Sequence, residues 1–596
     1  MVDIGQTGWH NSAVSKRSGR MHVDRAGRHY TTAGGESRAY PTYLLRRSFR
    51  DEHGRPRKET LANLTGLPEE SIAALRATLR GRTLVDAEAS FEVRRSVPHG
   101  NVAAAHVMAS KLGLRALLGP ACPERDVAYA LIVSRAVRPE SKLSTARWWQ
   151  AGDTTLGTDL GVAGASTDEI YAAMDWLTAR QRDIEKQLAA RHLEPGGIAM
   201  FDLSSSWVEG SCCPLAAFGH SRDGRRGRRQ VEYGLLTDPA GRPVAVEVFP
   251  GNTSDPDSFK TAIVRVRTDF GIERLIMVGD RGMITGTRVS DLRKLPGMDW
   301  ITALKAPAVA RLARDGGPLQ MSLFDTQNFA EITHPDYPGE RLVCCHNPVL
   351  AAERARKRED LLAATGAELA KISKAVAAGR LKDPDKIGIR IGKVINKRKV
   401  GKHFITEVTG AGFTWRRDQD KIAAEAALDG IYVIRTSVPG GILGAAAVVS
   451  AYKDLKYVER DFRITKADDL DLRPIHHYLA GRVRGHVLIC MLACYLTWHL
   501  RAALAELTFT DQHIPAPADP VAPAQRSGKA RAKDAAKHTP AGLPVTSYQD
   551  LLGHLSTLSR QTIDFAGQTI DKLTTPTPVQ ARAFELLGAP VPLALR

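Results

Sequence analysis

Apolar and polar residues alternate in three different ways along the 596-residue chain. The stretch YLLRRSFRDEHGRPRKETLANL predicts two short strands joined by a turn at His53-Gly54. From about residue 100 to 194 the apolar residues recur at helical spacing, which predicts packed helices, one of them opened by a capping box at Ser166–Glu169. Between residues 197 and 305 buried strands are predicted in the order β-β-β-α-β-α-β, typical of an α/β fold with a mixed sheet.

This alternation stops after residue 305. A charged helical stretch and a segment dense in Lys and Arg follow, and IYVIRTS from Ile431 predicts a strand returning to the core, so an insertion explains the pattern better than a linker. The Pro, Ala and Lys content near residue 530 favours a disordered linker. The predicted segments are 1–95, a basic N-terminal DNA-binding region; 96–195, a helical domain; 196–305, the first part of the catalytic core; 306–428, the insertion; 429–513, the second part of the core; 514–545, the disordered linker; and 546–596, a C-terminal segment.

The most apolar stretch, VLICMLACYLTWHL from Val487, is interpreted as a buried core helix because it is short for a membrane span and meets His499 and Arg501. No membrane partner is therefore expected. The N-terminus lacks the apolar region of a secretion signal, and seven cysteines without a C-x-x-C pair are typical of a reduced, intracellular protein. The expected location is the cytoplasm.

The charge of the chain is unbalanced: 83 Lys and Arg stand against 65 Asp and Glu, a net charge of +18. This excess points to a polyanionic partner. An arginine-rich loop follows the first core strand and lysines crowd the insertion; both could be solvated surface, but charges of one sign beside the core favour contact with a DNA backbone. The DNA-binding residues predicted in these segments are Arg225, Arg226, Arg228, Arg229, Lys397, Arg398 and Lys399.

Three acids are candidates for chemistry. Asp202 and Asp280 each end a predicted buried strand, and Glu459 lies on a predicted helix after the insertion. Each could merely cap a turn or helix. If they converge, their repulsion would call for divalent cations, with Mg²⁺ or Mn²⁺ suited to hard oxygen ligands, and two such ions can catalyse attack at a phosphodiester.

The stretches IAMFDLSS, IMVGDRGM and YKDLKYVERDFRITK resemble the three signature regions of the insertion-sequence DDE transposases, in the branch called insertion-sequence family four and its close relatives. The resemblance runs from about Gly197 to Arg501 and implies a ribonuclease H-like catalytic domain in which Asp202, Asp280 and Glu459 bind the metals. The family's third signature places an Arg where this chain has Leu455. Either Lys453 or Lys456 could supply that cation instead.

The third signature also matches at Tyr452, Glu459 and Lys466, which are spaced seven apart. This spacing predicts one face of a single α-helix. Asp454 and Asp461 do not keep it, so Glu459 is chosen as the third acid. Tyr452 and Lys466 are counted with the DNA-binding residues, Lys466 being placed to hold a phosphate beside the reacting one.

The function expected is that of a DNA transposase that nicks the ends of its own mobile element and then transfers strands. Its partners would be double-stranded DNA, as terminal inverted repeats and target, in a bacterial cytoplasm and on the nucleoid when bound. The resemblance implies a homodimer on paired ends. Two alternatives stay open: a metal-dependent nuclease of the same fold without strand transfer, and an inactive, transposase-derived DNA-binding protein.

Overall fold

The computed structural model describes residues 19–31, 37–82, 84, 91–284, 286–314, 317–409, 412–515, 517–565 and 568–595. The chain divides into two units, one of residues 1–95 with 561–572 and one of residues 96–560 with 573–596. The first division falls where the basic N-terminal region is predicted to end.

The first unit is built on an antiparallel sheet in the order β1-β2-β3. Its strands are β1 (Arg20–Thr31), β2 (Ser37–Arg50) and β3 (Pro56–Asn63). β2 and β3 form the predicted hairpin, and Gly54 in its turn takes a φ of 71°. The helix Glu69–Leu79 packs against β1 and buries Ile72 with Tyr43 and Leu64.

Residues 96–195 are helical, as predicted. Tyr129 and Trp149 are fully buried, and Trp149 Nε1 donates to Ser134 Oγ over 3.0 Å. The capping box at Ser166 is present, with Glu169 as its reciprocal partner. The helices are Gly100–Lys111, Leu114–Leu118, Pro123–Val137, Lys142–Gln150, Thr155–Asp159, Thr167–Ala179 and Gln181–His192.

A mixed sheet of eight strands forms the centre of the second unit, in the order β10-β11-β14-β9-β8-β5-β6-β7. The strands after residue 196 are β5 (Ile198–Trp207), β6 (Gln230–Thr237), β7 (Pro243–Pro250), β8 (Leu275–Gly279), β9 (Met298–Ala303), β10 (Phe329–Ile332), β11 (Arg341–His346), β12 (Phe404–Thr409), β13 (Gly412–Arg417) and β14 (Ile431–Thr436). β5, β6 and β7 are antiparallel neighbours, whereas β5, β8 and β9 run parallel. With the helices Asp255–Thr268 and Gly286–Arg293, this confirms the predicted order β-β-β-α-β-α-β.

The central sheet extends further along the chain than predicted. β10 and β11 fall within the predicted insertion, yet β11 pairs antiparallel with β14 over six residue pairs. Buried Val343 and Cys345 join the main hydrophobic core through this pairing. The excursion from the sheet is therefore residues 347–430, shorter than the predicted 306–428.

The excursion has a hydrophobic core of its own. It consists of the helices Pro348–Ala377, Pro384–Lys397 and Gln419–Ala426 with the hairpin β12–β13. Trp415 packs against Phe404 with ring centroids 5.9 Å apart, and its ring lies against Gly366. This tryptophan is thus a packing residue.

The apolar run from Val487 lies in the helix Ala480–Ala503. Within the described part of the chain it is the one helix long and apolar enough to cross a membrane, but 83% of its most apolar stretch is buried inside the protein. It packs against Pro123–Val137, Thr167–Ala179 and β7. The prediction of a buried core helix is confirmed.

Residues 514–545 differ from the predicted disordered linker. The helix Gly528–Ala536 forms there, and Lys453 Nζ donates to the carbonyls of Pro520 and Ala522 over 2.8 and 2.6 Å. Burial of Val521 and Ala530 anchors a stretch whose composition alone favours disorder.

The remaining elements are the helices Ala306–Leu312, Ala445–Lys453, Leu455–Arg463, Tyr548–Ser556 and Pro578–Leu586, and a sheet in the order β16-β15-β4 of β4 (Phe91–Pro98), β15 (Ser559–Phe565) and β16 (Gln568–Leu573).

Candidate active site

The strand register brings the first two predicted acids together. Phe201 of β5 pairs with Gly279 of β8 in the parallel ladder, so Asp202 and Asp280 each lie one residue further on, at neighbouring positions. Asp280 directly follows its strand, as predicted. Asp202 does not end its strand, because β5 continues through a polar but buried Ser-Ser-Ser run to Trp207.

The helix Leu455–Arg463 packs against β5 and carries Glu459, whose side chain is exposed, as is that of Asp280. Burial raises the pKa of Asp202 to about 7, and the Asp280 and Glu459 carboxylates add to the rise, while the Leu203 N–H and Arg222 oppose it. The carboxylates of Asp280 and Glu459 therefore both lie within electrostatic range of Asp202.

Hard carboxylate oxygens that repel one another and are open to solvent suit Mg²⁺ or Mn²⁺. In the part of the chain that the structure describes, however, no three Asp, Glu, His or Cys side chains are close enough together to form a closed metal site. The residue types of this cluster thus suit a divalent cation. The three carboxylates would have to move closer together to bind one.

Tyr452 reaches the same cluster. Its hydroxyl donates to Asp280 Oδ1 over 3.4 Å, and burial together with the Asp280 charge raises the pKa of the phenol above its usual range. The positive charge of Arg281 opposes that rise, which places this arginine near the phenol. Arg281 is exposed and makes no hydrogen bond or ion pair with any described residue.

The signature residues do not share one continuous helix. Tyr452 lies on Ala445–Lys453, a break follows at Asp454, and Glu459 lies on Leu455–Arg463. Lys466 lies in a short π-helical turn, Ile464–Asp468. The prediction that the spacing of seven places these residues on one helix face is therefore wrong, although Tyr452 and Glu459 both lie in the cluster.

Lys466 is buried rather than presented to solvent. Its Nζ donates to Asp223 Oδ1 over 2.7 Å, and Arg473 donates to the same oxygen over 2.7 Å. Burial lowers the pKa of Lys466, while Asp223 opposes the change. In this structure the lysine anchors the arginine-rich loop instead of facing an open phosphate position.

Arg222 belongs to the arginine-rich loop, for which the sequence predicts DNA contact, but its place among the acids of the site was not predicted. Its guanidinium donates to Asp255 Oδ1 over 2.5 Å and lies 3.4 Å from Glu232 Oε1. Burial raises the pKa of Glu232 to about 7, against the opposing charge of Arg222. In the sequence Asp255 is typical of a first helical turn and Glu232 of a strand, so only the fold brings both acids to Arg222, whose charge also acts on Asp202.

The predicted cations of the arginine-rich loop are exposed, but most hold local contacts. The Arg225 guanidinium lies 5.1 Å from the Trp207 ring centroid, Arg228 lies 3.3 Å from a Glu209 oxygen, and Arg229 donates to the Ser211 carbonyl. Arg226 makes no contact with another described side chain. The loop keeps an open cationic face.

Two of the three predicted cations of the insertion, Arg398 and Lys399, line a cavity. Lys397 and Arg398 both donate to Glu368, over 3.4 and 2.7 Å, whereas Lys399 is exposed with a φ of 56°. This cavity has a volume of about 830 Å³. Its charged lining includes Arg281, Arg354, Lys357, Arg358, Arg398, Lys399, Lys402, Lys421, Glu425 and Asp429. The residue after Asp280 thus shares a cationic cavity with the insertion.

A mixed sheet that gathers acids beside cationic surfaces defines the class: an α/β protein with a candidate site for chemistry on a polyanion. Residues 30–90 match the sequence profile of the N-terminal domain of IS1634 family transposases. No curated protein matches the chain. A solved piggyBac transposase synaptic complex with hairpin DNA is similar over 64% of this chain and 67% of that chain, at 8% identity and a TM-score of 0.33.

Proposed function

We propose that the chain is a DNA transposase that binds the ends of its own mobile element and catalyses metal-dependent phosphodiester hydrolysis and strand transfer on a ribonuclease H-like core. The observation that carries the proposal is the electrostatic cluster of Asp202, Asp280 and Glu459, drawn from two neighbouring strands and a helix far along the chain. The match of residues 30–90 to a transposase N-terminal domain supports the class.

Asp202, Asp280 and Glu459 would hold two Mg²⁺ or Mn²⁺ ions. When bound, such ions activate an attacking oxygen and stabilise the leaving one. The Tyr452 hydroxyl orients the Asp280 carboxylate, and Arg222, whose charge acts on Asp202, is held by Glu232 and Asp255. In the first step a water oxygen bonds to phosphorus and the 3′-oxygen leaves as a hydroxyl. In the second, the oxygen of that hydroxyl bonds to the phosphorus of another phosphodiester, whose own 3′-oxygen leaves as a hydroxyl, so no covalent protein intermediate or nucleotide cofactor is needed.

Arg281 would supply the cation that Leu455 does not. Of the two lysines close to Leu455, Lys453 is held by backbone carbonyls, and Lys456 lies 3.3 Å from an Asp454 oxygen. Arg281 adjoins Asp280 in the chain and lies near Tyr452, and its charge is open to solvent.

The partners in this proposal are terminal inverted repeats and target DNA, held by a homodimer on paired ends in a bacterial cytoplasm. The exposed arginines 225 to 229 and the cavity cations of the insertion would contact the phosphate backbone. Such contacts fix the position of the DNA and carry no sequence information by themselves.

Incubating the protein with labelled DNA ends from the flanks of the gene, a target plasmid and Mg²⁺ tests the proposal. Joined products are expected from the wild type. Asp280→Asn keeps the side-chain volume but removes a charge from the cluster, and it should lower nicking and joining by more than about 100-fold while DNA binding persists.

Glu273→Ala is the matched control, since Glu273 is an exposed acid at the other end of the same strand. It should react like the wild type. Cleavage without joining would support a nuclease, and a DNA shift without cleavage would support a DNA-binding protein. Wild-type chemistry in Asp280→Asn would show that the site has been placed wrongly.

A further inference from the structure

A second group of cations surrounds a pocket of about 380 Å³ in the second unit. The pocket lies between the start of the helix Lys142–Gln150 and the segment 471–486. Its charged and titratable lining residues are Arg135, Glu140, Lys142, Tyr171, Asp471, Arg473, His476, His477 and His486. None of the roles proposed above uses this pocket.

Two of these cations are buried and have no carboxylate within ion-pair distance among the described residues. Lys142 is 5% exposed, and its Nζ donates to His486 Nδ1 over 3.1 Å. Arg135 is also 5% exposed, and it donates to two backbone carbonyls, those of Leu470 and Glu140. Within the described chain, neither cation forms an ion pair with a carboxylate. A buried charge without a partner is costly, so this pocket is electrostatically incomplete.

The two acids of the lining do not complete it. The Glu140 carboxylate is taken by Arg138 over 2.8 Å and by the Ser144 hydroxyl over 2.5 Å. Asp471 is exposed, and none of the described contacts joins its carboxylate to Lys142 or Arg135. The positive potential of the pocket therefore remains available to a ligand.

The neighbouring His486 supports the interpretation of this pocket as a positively charged site. His486 Nε2 lies 3.1 Å from the Leu472 carbonyl and donates to it, so Nδ1 accepts from Lys142 and the ring is neutral. Burial, with the charges of Lys142 and Arg135, holds the pKa of His486 well below its usual value. Burial and Arg135 likewise lower the pKa of Lys142 to about 7. A bound anion would restore the charged form of the lysine.

A helix N-terminus contributes to the same pocket. Ser141 caps the nine-residue helix Lys142–Gln150 by accepting from the Ser144 N–H over 3.1 Å. The first helical amides have no partner within the helix, and the helix dipole favours negative charge at this end. Helix amides, a buried lysine and a buried arginine together are the donors that oxyanion sites use.

The pocket is connected to the candidate active site through one loop. Arg473 of the lining donates to Asp223, which also binds Lys466. Arg222, the preceding residue of that loop, holds Asp255 beside the acidic cluster. An anion in the pocket would therefore lie next to the segment that positions the cluster.

We propose that this pocket binds a phosphate group, coordinated by Lys142, Arg135, Arg473 and the first amides of the helix Lys142–Gln150. The group is either a phosphodiester of bound DNA, away from the one that reacts, or free inorganic phosphate. The chemistry of recognition is the same for both. The DNA source rests on the proposed function, whereas the phosphate site does not.

Isothermal titration calorimetry of the full-length protein with inorganic phosphate at constant ionic strength tests the site. Lys142→Met removes the charge and keeps most of the volume. Ser141→Asp keeps a capping side chain and places a carboxylate at the rim. Both variants should bind phosphate at least about 10-fold more weakly than the wild type, by the loss of one charge-assisted contact. Lys186→Met, at an exposed lysine of another helix, should bind like the wild type.

No phosphate binding by the wild type would overturn the proposal, and so would wild-type affinity in folded Lys142→Met and Ser141→Asp. The salt dependence of binding to duplex DNA from the flanks of the gene then identifies the source. A slope reduced by about one in Lys142→Met assigns the site to a DNA phosphate. An unchanged slope with lost phosphate binding assigns it to free phosphate. A wild type that binds phosphate but no DNA rejects the proposed function and leaves the pocket assignment standing.

Discussion

Two buried charged residues of the second unit, Glu185 and Lys142, differ in whether the protein supplies a counter-charge. Glu185 is fully buried and accepts from Arg265, from the Val246 N–H over 2.9 Å and from Gln181 over 2.9 Å. Arg265 also contacts Glu247 and Asp269. Lys142, in contrast, pairs with no carboxylate among the described residues. The first arrangement stabilises the fold as a complete network, and the second leaves charge for a ligand.

Glu185→Ala should lower the free energy of unfolding by about 1.5 to 3 kcal/mol, because it leaves the Val246 N–H without its acceptor and removes the most buried of the three carboxylates around Arg265. Urea denaturation measures the change. Glu247→Ala removes a more exposed partner of the same arginine and should cost about 1 kcal/mol or less. Equal losses in the two variants would contradict the assignment of Glu185 as the main counter-charge.

Lys142 should make stability depend on pH. Its pKa is about 7 in the folded chain against an ordinary 10.5, so unfolding takes up a proton anywhere between these values. The free energy of unfolding should therefore rise with pH in that window, by up to about 1.4 kcal/mol per pH unit. Urea denaturation of the wild type and Lys142→Met from pH 7 to 9 should show a shallower rise in the variant. Parallel curves would mean that the lysine is not buried as described.

Helix boundaries decide how far the sequence pattern can be taken. The capping box at Ser166 could be predicted because a local hydrogen-bond pattern defines it. The helix break at Asp454 could not be predicted, because nothing in YKDLKYVERDF forbids a continuous helix. Likewise, the strand β5 is predicted to end at Asp202 because the apolar run ends there, and only tertiary packing buries the serine hydroxyls that follow.

Ser166→Ala should lower the free energy of unfolding by about 1 kcal/mol, since the first turn of Thr167–Ala179 loses a side-chain acceptor. Thermal or urea denaturation measures it. Thr167→Ala, at the exposed next position, should change stability by less than about 0.5 kcal/mol. A neutral Ser166→Ala would indicate that packing alone fixes the start of this helix.

At the scale of the molecule, the net charge of +18 is spread over separate surfaces. The sequence located the arginine-rich loop and the basic insertion, because runs of one charge are visible without a fold. It could not show that Arg281 shares a cavity with the insertion cations, since 73 residues of chain separate it from Arg354. It also missed β10 and β11, which are short and lie within a charged region.

The cavity cations should contribute to the salt dependence of DNA binding. Arg354 and Lys357 are exposed and form no hydrogen bond or ion pair through their side chains with any described residue. Replacing both with Gln should reduce the slope of log affinity against log salt by about 2, through two lost phosphate contacts. Fluorescence anisotropy with duplex DNA at several salt concentrations measures it. Lys186→Gln with Lys260→Gln is the exposed control pair, and an equal reduction there would make the effect one of net charge alone.

The pairing of His346 with Ile431 means that residues 347–430 leave the central sheet and return to it at adjacent positions. These residues stand where a hairpin between β11 and β14 would have a tight turn. They pack into a hydrophobic core of their own, separate from the core of the sheet. Such a segment can be lengthened, shortened or exchanged during evolution without disturbing the register of the acidic cluster. Under the proposed function, its surface can thus diverge with the DNA while the acidic cluster stays unchanged.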